Sequence, residues 1–276
     1  MWNISYDEIL RVEVPPECYL VGYADDVAAV IAGRTLDELR RKLNQVMIRC
    51  NQWLDTHGLK LATEKTELVL ITQKRIPLNV DIQVLSQTIR TQDSVKYLGM
   101  MLDSRLNFTA QLRYYANKAA KLTSSLSRLM ANIGGPTENK RKLIMATTQS
   151  VLMYGAEIWA DSTKKLCRGK LISKVQRTAA LRVASAYRTV SEAAIMVISS
   201  TIPIELLAEE RKKIWRYKLA NESADTDAMR DATVQKWQNK WNDSETGRWT
   251  AKLIPNIKEW IERRHGEVNY YITQLL

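Results

Sequence analysis

Residues 18–32 read CYLVGYADDVAAVIA, in which two short apolar runs stand on either side of the acidic pair Asp25-Asp26. The valine, isoleucine and tyrosine content of the runs, residues 18–24 and 27–32, favours β-strands, and aspartate is a common turn residue. We therefore expect a β-hairpin whose two-residue turn is Asp25-Asp26.

A helix is expected after this hairpin. Thr35 and Glu38 have the spacing of a capping box, and apolar residues follow helical periodicity from Leu36 until Gly58. Further short strands are expected over residues 66–71, 80–85 and 95–102. The first third of the chain is thus predicted to mix strands with one long helix.

From about Leu106 the apolar period changes from two residues to 3.6, which predicts helices. They are expected over residues 108–129, 137–159, 166–187 and 204–219, and Trp237 and Trp241 are expected to pack in a core near the end of the chain. The predicted fold class is α+β, a hairpin, a helix and short antiparallel strands followed by an all-α bundle. The predicted domains are residues 1–103, 104–220 and 221–276.

The net charge of +11 is concentrated in the middle of the chain. Residues 104–220 hold 21 Lys+Arg against 7 Asp+Glu, whereas residues 1–103 hold 12 against 14 and residues 221–276 hold 8 against 9. Such a field suits a polyphosphate partner, because neutralising backbone phosphates releases condensed counterions. The alternative is a helical surface that carries lysine and arginine for solubility.

The composition argues against several classes of protein. Charged residues make up 26% of the chain and apolar residues 45%, which is outside the range of disordered chains. The three cysteines have no metal-ligand spacing, no apolar run is long enough to span a membrane, and the start lacks a signal-peptide pattern. We therefore expect a protein that is neither secreted nor inserted in a membrane.

Two adjacent carboxylates at a hairpin turn repel each other. With an effective dielectric constant of about 20 and about 6 Å between the charges, the repulsion is on the order of 3 kcal/mol. Solvent exposure, protonation or a bound cation relieves it, and Mg²⁺ prefers carboxylate oxygens together with substrate phosphates. Asp25-Asp26 is therefore either a solvated turn or part of a site where Mg²⁺ activates a 3′-hydroxyl and stabilises a leaving pyrophosphate.

Sequence motifs along the chain resemble those of one polymerase family. Residues 21–28, VGYADDVA, are similar to the catalytic strand-turn-strand of reverse transcriptases, and residues 58–67, GLKLATEKTE, and 96–103, KYLGMMLD, resemble the next palm motif and the primer-grip hairpin of non-long-terminal-repeat (LINE-like) retrotransposon polymerases. Residues 152–159, LMYGAEIW, residues 175–182, VQRTAALR, and residues 186–191, AYRTVS, resemble thumb segments of insect elements. The resemblance implies a partial palm at 1–103, a basic helical thumb at 104–220 and a Trp-rich helical or linker region at 221–276.

The resemblance also implies a role for each matching residue of the palm. Asp25 would ligate Mg²⁺, Asp26 would support the same metal site, and Tyr23 would lie under the primer terminus. Lys65 would contact the incoming triphosphate or donate a proton to pyrophosphate; alternatively, it is an exposed lysine between a loop and a strand.

Two further sets of residues would bind the primer and the template. Tyr97, Leu98 and Gly99 would hold the primer strand, with glycine permitting close backbone approach, unless they form an ordinary buried hairpin. Cations of the helical region would face template-primer phosphates, and each is otherwise a solvated side chain: Lys170, Lys174, Arg177, Arg182 and Arg188.

The parent reaction that the resemblance implies is Mg²⁺-dependent, RNA-directed DNA synthesis, with an RNA template, a DNA primer and deoxynucleoside triphosphates as partners and no membrane. The family's further metal-binding aspartate and its fingers are not found in this sequence. We therefore expect a palm and thumb fragment that lacks the amino-terminal part of the polymerase and has little or no activity alone. The alternatives are a non-catalytic nucleic-acid-binding module and an inert transposon relic.

Overall fold

The computed structural model describes residues 7–24, 26–74 and 79–276, and the chain divides into two compact units, Met1–Asn107 and Phe108–Leu276. The first unit combines antiparallel strands with helix, and the second is helical. The predicted α+β class is confirmed. Among the described residues, every helix is too short or too polar to cross a bilayer.

The first unit is built from hairpins and one long helix. Its elements are strands β1 (Cys18–Tyr23) and β2 (Asp26–Ile31), helix α1 (Leu36–Thr56), and strands β3 (Asp81–Val84), β4 (Gln87–Arg90), β5 (Ser94–Tyr97) and β6 (Met100–Asp103). Consecutive strands pair antiparallel as β1–β2, β3–β4 and β5–β6. The Thr35 side chain accepts a hydrogen bond from the Glu38 N–H at the start of α1, so the predicted helix and its cap are confirmed.

The turn of the first hairpin differs from the prediction. Tyr23 pairs with Asp26, so Asp26 is the first residue of β2 rather than part of the turn. The turn begins at Ala24, which has a left-handed φ of 53°. The reason lies in the core, because this register sets Ile31 opposite Cys18 and both pack against α1, whereas the predicted turn would set Gly33 there.

The other strand predictions have mixed outcomes. The strand expected over residues 66–71 is wrong, since that segment makes only one isolated parallel bridge, between Val69 and Gln92. Gln92 lies in the short connection between β4 and β5, which offers no length for a ladder. The strand over residues 80–85 is confirmed as β3, residues 95–102 form the β5–β6 hairpin, and β4 was not predicted.

Helix α1 organises the core of the first unit. Val46 and Cys50 pack with Cys18 of β1, and Leu43 and Met47 pack with the β3–β4 hairpin. The apolar face of α1 therefore packs against two hairpins. One is β1–β2, called the acidic hairpin below because it carries Asp25 and Asp26, and the other is β3–β4.

The second unit contains the helices α2 (Thr109–Arg128), α3 (Glu138–Leu152), α4 (Ala156–Trp159), α5 (Leu166–Val183), α6 (Glu192–Ile198), α7 (Ile204–Leu219), α8 (Thr226–Asn242), α9 (Arg248–Leu253) and α10 (Ile257–Glu262). The single helix predicted over residues 137–159 is wrong. It ends at Leu152, since Gly155 takes a left-handed φ of 66° before α4 begins. The helix predicted from 166 to 187 ends at Val183.

A large core cluster of the second unit includes the short helix α6, whose residues 194–198 are all buried. Trp237 and Trp241 of α8 are 3% and 2% exposed and belong to the same cluster, as their spacing predicts. The Trp241 indole N–H donates to the Ile254 carbonyl oxygen over 3.0 Å. Residues of the last segment thus complete the core that α5 and α6 begin.

Candidate active-site hairpins and nucleic-acid interface

The tip of the β1–β2 hairpin presents predicted site residues to solvent. Tyr23 is 68% exposed, and its strand partner Asp26 is also exposed. Asp25, the predicted metal ligand, lies outside the described residues. Aspartate carboxylates are the hard oxygen ligands that Mg²⁺ prefers, so the donor chemistry of the pair fits this ion.

Apart from Asp25, the side chains that the structure describes form no cluster of metal ligands. Within residues 7–24, 26–74 and 79–276, no group of three or more His, Cys, Asp or Glu side chains could hold a metal ion. Mg²⁺ commonly keeps several waters and takes substrate phosphate oxygens as ligands. Water and substrate oxygens would complete the coordination of an ion held by Asp25 and Asp26.

The β5–β6 hairpin reaches the strand that leads to this tip. The Tyr97 hydroxyl donates a hydrogen bond to the carbonyl oxygen of Val21 over 3.4 Å. Leu98 and Gly99 form the turn of this hairpin. Their φ values, 46° and 79°, are both positive, as primed hairpin turns require. A left-handed leucine is uncommon, which marks this turn as unusual. The structure thus brings the acidic hairpin and the hairpin of residues 97–99 together.

A buried lysine fixes the open end of the acidic hairpin. The Lys42 ammonium of α1 lies 2.9 Å from carboxylate oxygens of Glu17 and Glu38 and donates to the Ala32 carbonyl oxygen over 2.9 Å. The hydrogen bond with Glu17, followed by that with Glu38, raises the pKa of Lys42. Because Glu17 precedes β1 and Ala32 follows β2, Lys42 anchors both strands of the hairpin to α1.

Lys65 is not joined to either hairpin. It ends a short 3₁₀ turn, Thr63–Lys65, and its side chain is exposed. In the part of the chain that the structure describes, its ammonium makes no hydrogen bond or ion pair. The structure therefore brings Tyr97 to the acidic hairpin but does not link Lys65 to it.

The predicted phosphate-binding residues of the second unit fall into two groups. Lys170 and Lys174 of α5 are exposed, as is Arg188. Arg177 is half-buried and donates to the carbonyl oxygens of Arg188 and Val190, and half-buried Arg182 donates to the Asn132 side chain. Part of each of these two guanidinium groups is thus bonded to the protein itself.

Cations of α7 and α8 are largely neutralised by nearby carboxylates. The ion pairs are Arg211–Glu157, Lys212–Asp161, Lys236–Glu209 and Lys240–Glu205, with nitrogen–oxygen distances of 2.6, 2.6, 3.0 and 3.2 Å. The hydrogen bond from Lys212, with a second from Lys164, lowers the pKa of Asp161 to about 2. This side of the unit therefore contributes little free positive charge.

Helix α2 carries cations that sequence reasoning did not single out. They are exposed, and none forms an ion pair with another described residue: Arg113, Lys118, Lys121 and Arg128. The helix contains no aspartate or glutamate. That absence of acids over 20 helical residues is the sequence signal that would have found this surface.

Comparison with known proteins gives the chain relatives over most of its length. Residues 1–102 match the family described as reverse transcriptase (RNA-dependent DNA polymerase). The chain is 25% identical over 278 residues to the putative 115 kDa protein in the type-1 retrotransposable element R1DM of Drosophila melanogaster, a match that covers 93% of this chain and 27% of that protein. It therefore spans about a quarter of that relative's length.

Two Nasonia vitripennis proteins are also similar. Both are retrovirus-related Pol polyproteins from type-1 retrotransposable elements, R1 2 and R1, with 24% and 26% identity over all of this chain and over 73% and 88% of their own lengths. No solved structure matches the chain. The resemblance that the motifs indicate is confirmed: residues 1–102 match the reverse transcriptase family, and the chain is a relative of the Pol proteins of insect type-1, non-LTR retrotransposable elements.

Proposed function

We propose that this chain is the palm and thumb portion of a Mg²⁺-dependent, RNA-directed DNA polymerase that extends a DNA primer on an RNA template. The observation that carries the proposal is the hydrogen bond from Tyr97 to Val21, because it joins the hairpin with the primer-grip motif to the hairpin with the acidic pair. The proposal assigns residues 1–103 to the palm and residues 104–220 to the helical thumb. The family match over residues 1–102 supports the first assignment, and the sequence motifs within residues 152–191 support the second. The proposal includes an intracellular location, nuclear or cytoplasmic, for this activity.

Each predicted site residue has a proposed task. Asp25 and Asp26 hold Mg²⁺, which, when bound, activates the primer 3′-hydroxyl and stabilises the leaving pyrophosphate. Exposed Tyr23 supports the primer terminus, and the turn at Leu98 and Gly99 positions the primer strand. Lys65 contacts the triphosphate of the incoming nucleotide.

The duplex of template and primer is held by cations that the protein leaves without ion pairs. Exposed Lys170, Lys174 and Arg188 contact phosphates, and the cations of α2 extend this surface. Arg177 and Arg182 contribute less to the phosphate contacts, because they also bind protein oxygens.

An affinity-cleavage experiment tests the metal site without requiring turnover. Fe²⁺ replaces Mg²⁺ in the chain bound to an RNA template and DNA primer, and ascorbate with peroxide generates radicals that cut the nearest backbone. We expect cleavage near residues 23–27, suppressed by excess Mg²⁺ and lost in Asp25→Asn and Asp26→Asn. Asp37→Asn, an exposed carboxylate on α1, is the matched control.

Primer extension is measured in parallel. We expect low incorporation that requires Mg²⁺ and disappears in Asp25→Ala, because Asp25 is a proposed ligand of the ion. Template-primer binding that is unaffected by Asp25→Asn, without cleavage at the hairpin tip, would instead support a non-catalytic nucleic-acid-binding module. The exposed cations of α2, which form no ion pair with another described residue, are the observation that favours this second candidate.

A further inference from the structure

Two tyrosines near the start of α2 and one in the turn before α4 form a cluster of rings. Tyr115 is only 7% exposed and stacks on Tyr154, with 5.2 Å between ring centroids and 18° between ring planes. Tyr114 meets the Tyr115 ring edge-on at 5.1 Å. Tyr114 and Tyr154 are 40% and 43% exposed. Two rings of the cluster are therefore accessible to solvent, and both pack against the buried ring of Tyr115.

The backbone beneath one of these rings is fixed. The Tyr154 carbonyl oxygen accepts hydrogen bonds from the Gln111 side-chain amide over 3.2 Å and from the Trp159 indole N–H over 2.8 Å. Gln111 and Trp159 are each 1% exposed. A ring held on such a backbone loses little freedom when a ligand stacks on it, so the surface is preorganised for binding.

The rings stand among positive charges. Tyr114, Lys118 and Lys121 follow one another at spacings of four and three residues and therefore share one face of α2. The Lys118 ammonium lies 5.8 Å from the centroid of the Tyr115 ring. Aromatic rings that stack on bases, beside cations that follow the phosphates, are the combination that binds single-stranded nucleic acids.

Another exposed aromatic residue is less suitable for this role. Trp249 is 63% exposed, and its indole N–H is bonded to the Leu275 carbonyl oxygen. Residues 221–276 carry 8 Lys+Arg against 9 Asp+Glu, so their charge does not attract a polyanion. Charge complementarity favours the tyrosine cluster over the C-terminal tryptophan.

We propose that Tyr114 and Tyr154 form a base-stacking platform that binds unpaired bases of a single-stranded nucleic acid, with its phosphates along Lys118 and Lys121. The platform lies on α2, whose cations are also proposed to contact the template-primer duplex. In this respect it rests on the proposed function. Stacking on unpaired bases needs no metal ion, so the two proposals can fail separately.

Two short oligonucleotides of equal length, an oligothymidylate and an abasic strand, serve as probes for the full chain. We expect Tyr114→Ala to weaken binding of the oligothymidylate about fivefold, as removal of one stacking ring does, and to leave binding of the abasic strand unchanged. Tyr114→Phe, which keeps the ring, retains the wild-type affinity. Tyr154→Ala repeats the effect of Tyr114→Ala at the second ring.

Two matched variants separate stacking from charge. Tyr217→Ala removes a tyrosine that is also 40% exposed, but on α7, and leaves both affinities unchanged. Lys121→Ala weakens binding of both strands and lowers the slope of log K against log salt by about 0.7, the value for one neutralised phosphate on a single strand, whereas Tyr114→Ala leaves that slope unchanged.

The proposal is overturned if Tyr114→Ala weakens both strands equally, if it weakens neither, or if Tyr217→Ala has the same effect. Circular dichroism on each variant confirms that the helices remain folded, and Tyr114→Phe keeps the test decisive should the alanine variant unfold. A preference for oligothymidylate that depends on Tyr114, together with absent Fe²⁺ cleavage at residues 23–27, would retain the platform and reject the polymerase.

Discussion

Arg141 is a buried cation that holds the loop between α2 and α3. It is 4% exposed, and its guanidinium donates to the carbonyl oxygens of Pro136 over 2.7 Å and Ala131 over 2.6 Å. It also bonds the Ser185 hydroxyl in the turn after α5. Burial lowers the pKa of Arg141, but not enough to discharge a guanidinium near neutral pH. One side chain therefore ties this loop to the helical core.

We expect Arg141→Met to lower the free energy of unfolding by about 3 kcal/mol, because several carbonyl oxygens and the buried Ser185 hydroxyl lose their hydrogen-bond donor at once. Urea denaturation followed by tryptophan fluorescence measures the loss. Lys140→Met, at the neighbouring exposed position, is the control and should change stability by less than about 0.5 kcal/mol. Equal stabilities of the two variants would show that the Arg141 bonds contribute nothing net.

Sequence reasoning had no means of separating Arg141 from the other basic residues of the middle region. Its neighbours Lys140 and Lys142 are exposed, and only the folded chain shows that Arg141 faces inward. Arg177 gives the same lesson, since its guanidinium bonds carbonyl oxygens eleven and thirteen residues away. The acidic pair was recognisable because its motif is local in sequence, whereas the partners of a buried arginine are not.

The Asp161 carboxylate makes stability depend on pH. Its folded pKa of about 2 lies below the value of 3.8 expected when unfolded, chiefly because Lys212 hydrogen-bonds the charged form. Its contribution is therefore complete well above pH 3.8 and is lost as the pH falls towards 2. Because the side chain is 50% exposed, we expect Asp161→Asn to cost no more than about 1 kcal/mol at pH 7.

Denaturation of wild type and Asp161→Asn between pH 7 and pH 3 checks this dependence. The difference between the two proteins should shrink as the solution is acidified. Glu222→Gln removes an exposed carboxylate for which the described residues provide no ion pair, and it should match wild type throughout. A difference that grew on acidification would contradict the assigned direction of the Asp161 shift.

Among the elements, the hairpins show what the sequence could and could not predict. Strand content followed from valine, isoleucine and tyrosine, and α1 followed from its cap and periodicity. The turns did not follow from the sequence, because none of them begins at a strong turn-forming residue. Their first residues are Ala24, Leu85 and Leu98, which take φ values of 53°, 52° and 46°. Packing of Cys18 and Ile31 on α1, which is non-local, sets the register instead.

Two helices of the second unit should differ in their contribution to nucleic-acid binding. Lys121 and Arg128 of α2 have no ion-pair partner among the described residues, whereas Lys236 and Lys240 of α8 pair with glutamates of α7. We expect Lys121→Ala/Arg128→Ala to lower the slope of log K against log salt for an RNA–DNA duplex by about 2, or about 1 for each phosphate that is no longer neutralised. The measurement is fluorescence anisotropy over a salt series.

The α8 double variant Lys236→Ala/Lys240→Ala removes the same charge and is the matched control. Its slope should stay close to that of wild type, because those ammonium groups are already neutralised. Equal slopes for the α2 and α8 variants would mean that only the net charge of the molecule matters, and the assignment of the interface to α2 would be wrong.

At the scale of the whole molecule, the two units have cores of different size. Among the described residues of the first unit, small clusters lie around α1, one with Cys18, Val46 and Cys50 and one with Leu43, Met47, Ile82 and Val84. A larger cluster in the second unit includes α6, Trp237 and Trp241. Since stabilisation grows with the apolar area buried, we expect the first unit to unfold at a lower urea concentration.

The cysteines report on this order of unfolding. Cys18 and Cys50 lie in the first core at 5% and 7% exposure, while Cys167 of α5 is exposed, so only Cys167 should react with a thiol reagent in the native protein. Burial raises the pKa of Cys50, which lowers its thiolate fraction and slows its reaction further.

Labelling of Cys18 and Cys50, read by mass spectrometry across a urea series, should precede the change in tryptophan fluorescence, since six of the eight tryptophans lie in the second unit. Coincident transitions would mean that the two units unfold as one, because cooperativity between them would then outweigh the difference between their cores.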